Sequence, residues 1–220
     1  VTWRSGLVGG AITILATAGC AADPPSAVVG IVVDGCDPGE EIGSGMIVAP
    51  GLVLTSAHVL AGASEIVVSG EGGSSVAEIV AFDPEMDLAY LSIDDRRAAP
   101  MRIASDHVVD DDAGVAYVVR DRQPVAVPVR VRRRVRIRTE DIYVEGETLR
   151  PGFELEADIR AGDSGGAVMV DGDVIGVIWA RSNKHEGRAY AIDAVRAGEL
   201  IREQLRTSRI DNSIDLARCH

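Results

Sequence analysis

Gly162-Asp163-Ser164-Gly165-Gly166 sets a serine among glycines. A serine alcohol becomes a useful nucleophile only where a base can take its proton and donors can hold the oxyanion it creates. The glycines permit a tight turn that aims two backbone N–H groups, those of Gly162 and Ser164, at one point. A base is offered by His58, which ends Thr55-Ser56-Ala57-His58 after the apolar run 46–54. A carboxylate is offered by Asp87, in Asp83-Pro84-Glu85-Met86-Asp87-Leu88-Ala89, with Asp83 a nearby competitor. A carboxylate on the second imidazole nitrogen fixes the tautomer and stabilises the imidazolium that forms during reaction. Each feature alone has an ordinary alternative: a Gly-Asp-Ser turn between strands, a satisfied structural histidine, one aspartate among many. In the order His, Asp, Ser, with gaps of 29 and 77 residues, they point to acyl transfer by a triad.

Such residues must be held by a scaffold, and the patterning favours an all-β one. Val/Ile-rich runs at 28–33, 46–49, 52–55, 65–68, 76–82 and 88–93 are bounded by Gly, Pro, Ser or Asp. A second set lies at 114–119, 125–137, 153–157, 167–170, 174–180 and 189–192. The pattern breaks at Asp94-Asp95-Arg96-Arg97 and again at 110–112, which places a boundary between a first subdomain, 23–105, and a second, 106–220. Asp193 can cap a helix running to about residue 206, with Val195, Leu200, Ile201 and Leu205 on one face, packed on the second subdomain.

The chain has 220 residues, 46% of them apolar, enough for a self-sufficient core and too apolar for a disordered chain. A net charge of −12 argues against nucleic-acid binding. Residues 1–22 read as a targeting segment: Arg4 precedes the apolar stretch 7–18, too short for a membrane-spanning helix. Thr17-Ala18-Gly19-Cys20 resembles a lipoprotein box with Thr in place of the usual Leu, so Cys20 is expected to be either lipidated, anchoring the protein to a membrane surface, or removed. Cys36 and Cys219 then remain as a pair, and export to an oxidising compartment favours a disulfide over two free thiols. Closing so long a loop would stabilise the fold by about 4–5 kcal/mol.

With these residues assembled, the chain resembles the HtrA-like and trypsin-like serine peptidases. Gly43-Ser44-Gly45-Met46-Ile47-Val48-Ala49-Pro50 and Leu54-Thr55-Ser56-Ala57-His58-Val59 are similar to their first barrel, and Asp83 to Ala89 to their Asp-x-x-x-Asp-Leu-Ala pattern. Asp141-Ile142-Tyr143, Ala157-Asp158-Ile159 and the positions of Cys36 and Cys219 are similar to the periplasmic branch of actinobacteria. The resemblance covers roughly residues 28–220. It implies two packed six-stranded antiparallel β-barrels with a C-terminal helix, His58, Asp87 and Ser164 as catalytic triad, the Gly162 and Ser164 amides as oxyanion hole, and the same disulfide. The chain departs from the pattern in carrying Ala167 where Pro is usual, and neither a PDZ domain nor a multi-span membrane domain is expected among its 220 residues.

Asp163 is the residue that pairs with a new N-terminus in the digestive enzymes. Val28-Val29-Gly30 superficially resembles such a terminus, but a plain strand is the expectation. For the substrate pocket the resemblance points to Asp158, six residues before Ser164, with Arg188 near the opposite wall able to neutralise it, and to Trp179 and Arg181 on the strand that pairs with substrate; a solvated Asp158 outside the pocket is the plainer reading. The arginines of 130–138 alternate with Val131, Val135 and Ile137, and Arg133 breaks the pattern; a wet cationic strand face is expected, with a surface for anionic envelope polymers as the other reading. No metal and no cofactor is expected. The implied protein is an exported, monomeric endopeptidase of the cell envelope acting on polypeptides. The contrasting reading is a proteolytically silent binding protein on the same scaffold.

Overall fold

The computed structural model describes residues 25–35, 41–96, 98–105 and 111–207. The expectations for the segment 1–22, for Cys20 and for the Cys36–Cys219 pair lie outside the described residues. Strands β1 (Val28–Asp34), β2 (Glu41–Ala49), β3 (Leu52–Thr55), β4 (Glu65–Gly70), β5 (Gly73–Val76), β6 (Glu78–Asp83) and β7 (Leu88–Ser92) form one antiparallel sheet, ordered β5-β4-β1-β2-β3-β7-β6. Strands β8 (Asp112–Arg120), β9 (Gln123–Glu140), β10 (Glu147–Glu156), β11 (Ala167–Val170), β12 (Asp173–Arg181) and β13 (Arg188–Asp193) close into a barrel, ordered β10-β13-β12-β11-β8-β9. The architecture is the chymotrypsin-like one expected, with a seventh strand in the first sheet because Gly73–Val76 pairs with β4.

Successive side chains on a strand face opposite ways, and β8 shows what this does here. Ala116 and Val118 point into the barrel with Val127, Val129, Val131, Phe153 and Leu155, while Tyr117 and Val119 join the core shared with the first sheet. The connection between the sheets is fastened to both: Met101 N–H donates to Ile47 O of β2 at 2.8 Å, and Ala104 N–H donates to Val174 O of β12 at 3.0 Å. Val28 pairs with Met46 within the first sheet, so Val28-Val29-Gly30 is the plain strand expected.

Helix α1 (Ala194–Thr207) begins where expected, and Asp193 Oδ1 accepts from Val195 N–H at 3.1 Å. It packs on β6 and β7 of the first sheet as well as on β12 and β13, a correction to the expectation of the second barrel alone. The reason is the smallness of Ala194 and Ala197, both fully buried, which lets the helix settle into the seam between the sheets.

The arginine-rich run is one long strand whose exposed face is largely paired with acids of its own chain. Arg130 meets Asp111, Arg132 meets Glu156, Arg133 meets Glu154, Arg134 meets Asp193 and Arg138 meets Glu147. Arg133 breaks the alternation because the β9–β10 register shifts between Glu154 and Leu155, as a β-bulge does. With so many of its charges answered locally, this face is the solvated cationic strand of the first reading.

Candidate active site

His58 sits in a single 3₁₀ turn, Ala57–Leu60, where the chain leaves β3. Asp87 lies in the β6–β7 turn with φ 58°, a left-handed backbone that Asp and Asn adopt more readily than most residues. The turn is shaped by Asp83, whose Oδ1 accepts the Glu85 and Met86 amides at 3.0 and 2.9 Å. Asp83 is thereby a turn-former, and Asp87 is the carboxylate that reaches the imidazole. Its Oδ1 accepts from the His58 backbone N–H at 2.8 Å, and its Oδ2 lies 2.8 Å from Nδ1. The Asp87 side chain is 1% exposed and that of His58 25%, so the carboxylate is sealed while the imidazole keeps an open edge. Burial works against the Asp87 charge, but His58 and, behind it, Arg150 outweigh burial and hold the carboxyl below its ordinary range.

Ser164 belongs to the second sheet's half of the site, in the turn leading into β11. Gly162 and Gly165 have φ of 90° and 85°, conformations that suit glycine alone among common residues. At Gly165 the need is also steric: a Cβ would lie 2.1 Å from Ser44 O and 2.3 Å from Thr55 Oγ1. That closeness shows how the serine turn abuts the end of β3, just before His58. The turn is docked on β12 by Gly165 N–H to Ile178 O and Ile178 N–H to Gly166 O, both 2.8 Å. From the other side Ser44 clamps it: its N–H donates to Ser164 O at 2.7 Å and its hydroxyl to Gly162 O at 3.1 Å. The same hydroxyl accepts from Val119 N–H at 2.9 Å, so one buried serine joins β2, β8 and the serine turn. Among the described residues the Gly162 and Ser164 amides donate to no acceptor, which suits a pair meant for an oxyanion.

Asp163 is fully buried and its carboxylate faces inward, answered by Arg120 at the end of β8. Arg120 donates to it through Nε at 3.0 Å and NH2 at 2.6 Å, and also reaches the Asp158 carbonyl at 2.6 Å. The hydrogen bond to Asp163 holds the guanidinium more firmly protonated than usual. An internal cation thus meets the charge of Asp163, consistent with Val28 lying in a strand.

Asp158 is the solvated carboxylate of the plainer reading, and its pairing with Arg188 is not formed. The Asp158 side chain is exposed and bonded to Arg160 at 2.5 Å, and that bond lowers its pKa. Arg188 pairs with Glu154 at 3.1 Å, not with Asp158. The reason is strand pairing: Arg188 on β13 stands opposite Glu156 of β10 and reaches diagonally to Glu154 on the same face, whereas Asp158 has already left β10. Trp179 is half-buried, its ring 6.4 Å from that of Tyr190, and Arg181 is exposed at the end of β12. A concavity of about 280 Å³ beside Val29, Ile47, Val68 and Ile93 contains none of the triad residues.

Ser44, Arg120 and Arg150 were not singled out by sequence reasoning as site residues. Ser44 stood within a quoted motif, whereas the two arginines are single charges on strands with no local pattern to mark them.

The profile of the trypsin-like peptidase domain matches residues 43–177. The serine protease Rv3671c of Mycobacterium tuberculosis is 31% identical over 140 residues, covering 62% of this chain and 35% of that protein. A probable periplasmic serine endoprotease, DegP-like, of Halomonas elongata is 30% identical over 162 residues, covering 69% of this chain and 32% of that one. The chain therefore spans about a third of the length of these curated relatives. Among solved structures, the active form of the Rv3671c protease superposes with a TM-score of 0.78 at 24% identity, covering 89% of this chain and 86% of that one; at that identity the likeness speaks for the fold. The HtrA-type protease AlgW with a tripeptide superposes at 0.73 with 26% identity, covering 86% of this chain and 63% of that one.

Proposed function

The chain belongs to the trypsin-like peptidase family, and from that premise we propose that it is an exported serine endopeptidase whose triad is Ser164, His58 and Asp87. Ser164 Oγ attacks the scissile carbonyl carbon while His58 Nε2 takes the hydroxyl proton. The Gly162 and Ser164 amides hold the oxyanion, and Asp87 stabilises the positive charge that appears on the imidazole. The tetrahedral adduct collapses as His58 returns the proton to the leaving amine, giving an acyl-enzyme. Water, deprotonated by His58, then releases the acid and restores Ser164. The observation that carries this reading is the sealed Asp87 bonded twice to His58, beside a glycine turn that presents Ser164 and two open amides. The test is a fluorophosphonate probe with peptide mapping. Label on Ser164 together with hydrolysis of a peptide substrate is expected; a folded chain that does neither would be a silent binding scaffold.

We take the chain to divide into a first subdomain, 23–105, and a second, 106–220. We take the substrates to be cell-envelope polypeptides, in keeping with the periplasmic naming of the DegP-like relatives, and the protein to act as a monomer. In that compartment Cys36 and Cys219 form a disulfide. Intact mass and alkylation without reductant test it: both thiols blocked is the expected result, and two alkylatable thiols in native exported protein contradicts it. The same spectrum reports whether Cys20 is lipidated or absent. Asp158, answered by Arg160, gives only a weak preference for basic residues at the cleavage position.

Arg120→Met leaves the Asp163 carboxylate buried without its cation. Removing one partner of a buried pair costs about 3–5 kcal/mol. Urea unfolding is expected to show a loss of that order, and turnover should fall with it as the 160–163 turn loosens. A change under about 1 kcal/mol would mean that the pair behaves as a surface one.

A further inference from the structure

Arg150 heads the largest fully buried side chains, an unusual place for a cation that most proteins keep in water. It lies on β10, in the second sheet, yet every bond the structure gives its side chain goes to the first. Nε donates to Glu85 O at 2.6 Å and NH2 to Pro84 O at 3.3 Å. A second grip on the same turn comes from Ile142, whose N–H donates to Pro84 O at 3.2 Å. NH1 stands 3.8 Å from Asp87 Oδ2, and the guanidinium lies over the Trp179 ring at 5.0 Å from its centroid. Burial works against the Arg150 charge, and Asp87 first, then Asp83 and Asp141, favour it. Asp83 and Asp141 spend a carboxylate oxygen each on nearby amides, at Met86 and Tyr143.

We propose that Arg150 is a positioning residue of the triad: from the second sheet it clamps the turn that carries Asp87 and places a fixed positive charge behind the Asp87–His58 pair. The proposal rests on the reading of His58, Asp87 and Ser164 as the triad. The two carbonyls it holds lie two and three residues before Asp87, so they fix the left-handed turn that aims the carboxylate. The charge acts separately. Among the described residues, His58 and Arg150 from β10 are the ionisable groups acting on Asp87, while Asp83 at the end of β6 and Asp141 from the β9–β10 turn act on the guanidinium. Arg150 places a cation beside Asp87, and a cation beside the pair opposes proton uptake by either member. The pair therefore stays in its working form, carboxylate with neutral imidazole, to lower pH with Arg150 than without it. Removing the charge must move the acidic limb of the kcat/KM profile upward.

The test compares Arg150→Met, which keeps an apolar stem, with Arg150→Lys, which keeps the charge but loses the planar fork. For Arg150→Met the acidic limb is expected to rise by about one pH unit, with kcat down about tenfold and KM within about twofold of the parent. Arg150→Lys should keep the parent limb while losing part of kcat. His58 titration followed by NMR in a Ser164→Ala background should shift in the same direction as the limb. An unmoved limb in Arg150→Met, or equal losses in both variants, overturns the proposal and leaves Arg150 a packing residue. Should Arg150→Met not fold, Arg150→Gln supplies a neutral donor to the carbonyls. Should that fail too, Arg150→Lys decides: a parent-like limb with lowered kcat supports the proposal and a displaced limb overturns it. A parent chain that neither labels at Ser164 nor cleaves peptides overturns the triad reading instead, and the His58 titration still reports on Arg150.

Discussion

Ser164→Ala is expected to lower kcat on peptide substrates by a factor on the order of 10⁵–10⁶ while leaving the fold intact. The expectation of an intact fold comes from what holds the turn. Its docking to Ser44 and Ile178 runs through backbone groups of residues 162, 164, 165 and 166, and alanine at 164 keeps all of them. His58→Ala should cost a similar factor, and the double variant little more than either. Triad members act as a unit, so their losses do not add. Stopped assays on a preparation free of host proteases, beside a thermal melt, check both halves of the claim. Substantial hydrolysis by folded Ser164→Ala protein would move the nucleophile elsewhere.

Asp87→Asn should lower kcat by about 10⁴ at neutral pH. The geometry gives the reason. Both Asp87 oxygens receive a donor: the His58 backbone N–H on Oδ1 and Nδ1–H on Oδ2. An amide offers one oxygen and one NH₂ group. If its oxygen keeps the backbone N–H, its NH₂ faces Nδ1 and forces the imidazole proton onto Nε2, where a base must have a lone pair. Asparagine tolerates the left-handed φ of 58° at this position, so the loss is one of chemistry and not of backbone. NMR of the imidazole protons would show the switched tautomer; an Nδ1 proton retained with full activity would rule the orientation role out.

The proposed triad was legible because each member sits in a short local pattern that its chemistry demands: the glycines around Ser164, the apolar strand before His58, the turn before Asp87. Most strands were legible from Val and Ile runs alone. Strand β5 was not, since Gly73-Ser74-Ser75-Val76 has loop composition and becomes a strand only because β4 offers it a partner. The Asp158–Arg188 pairing failed because counting back from a serine says nothing of strand pairing: Arg188 stands opposite Glu156 and reaches diagonally to Glu154. Arg120 and Arg150 work on partners 43 and 65 residues distant in sequence, and no local pattern records such a relation.

The serine turn is docked on Ile178, close to the C-terminal end of the described fold, while His58 and Asp87 lie within its first half. A chain that folds as it emerges completes its earlier parts first. The base and its carboxylate can therefore be in place long before a nucleophile exists for them to serve. Until residue 178 has emerged and β12 has formed, the serine turn lacks its docking on Ile178 and is held by Ser44 and Arg120 alone among the contacts described. On the proposed triad, a growing chain is in this sense an enzyme still disarmed, its nucleophile the last part to be seated.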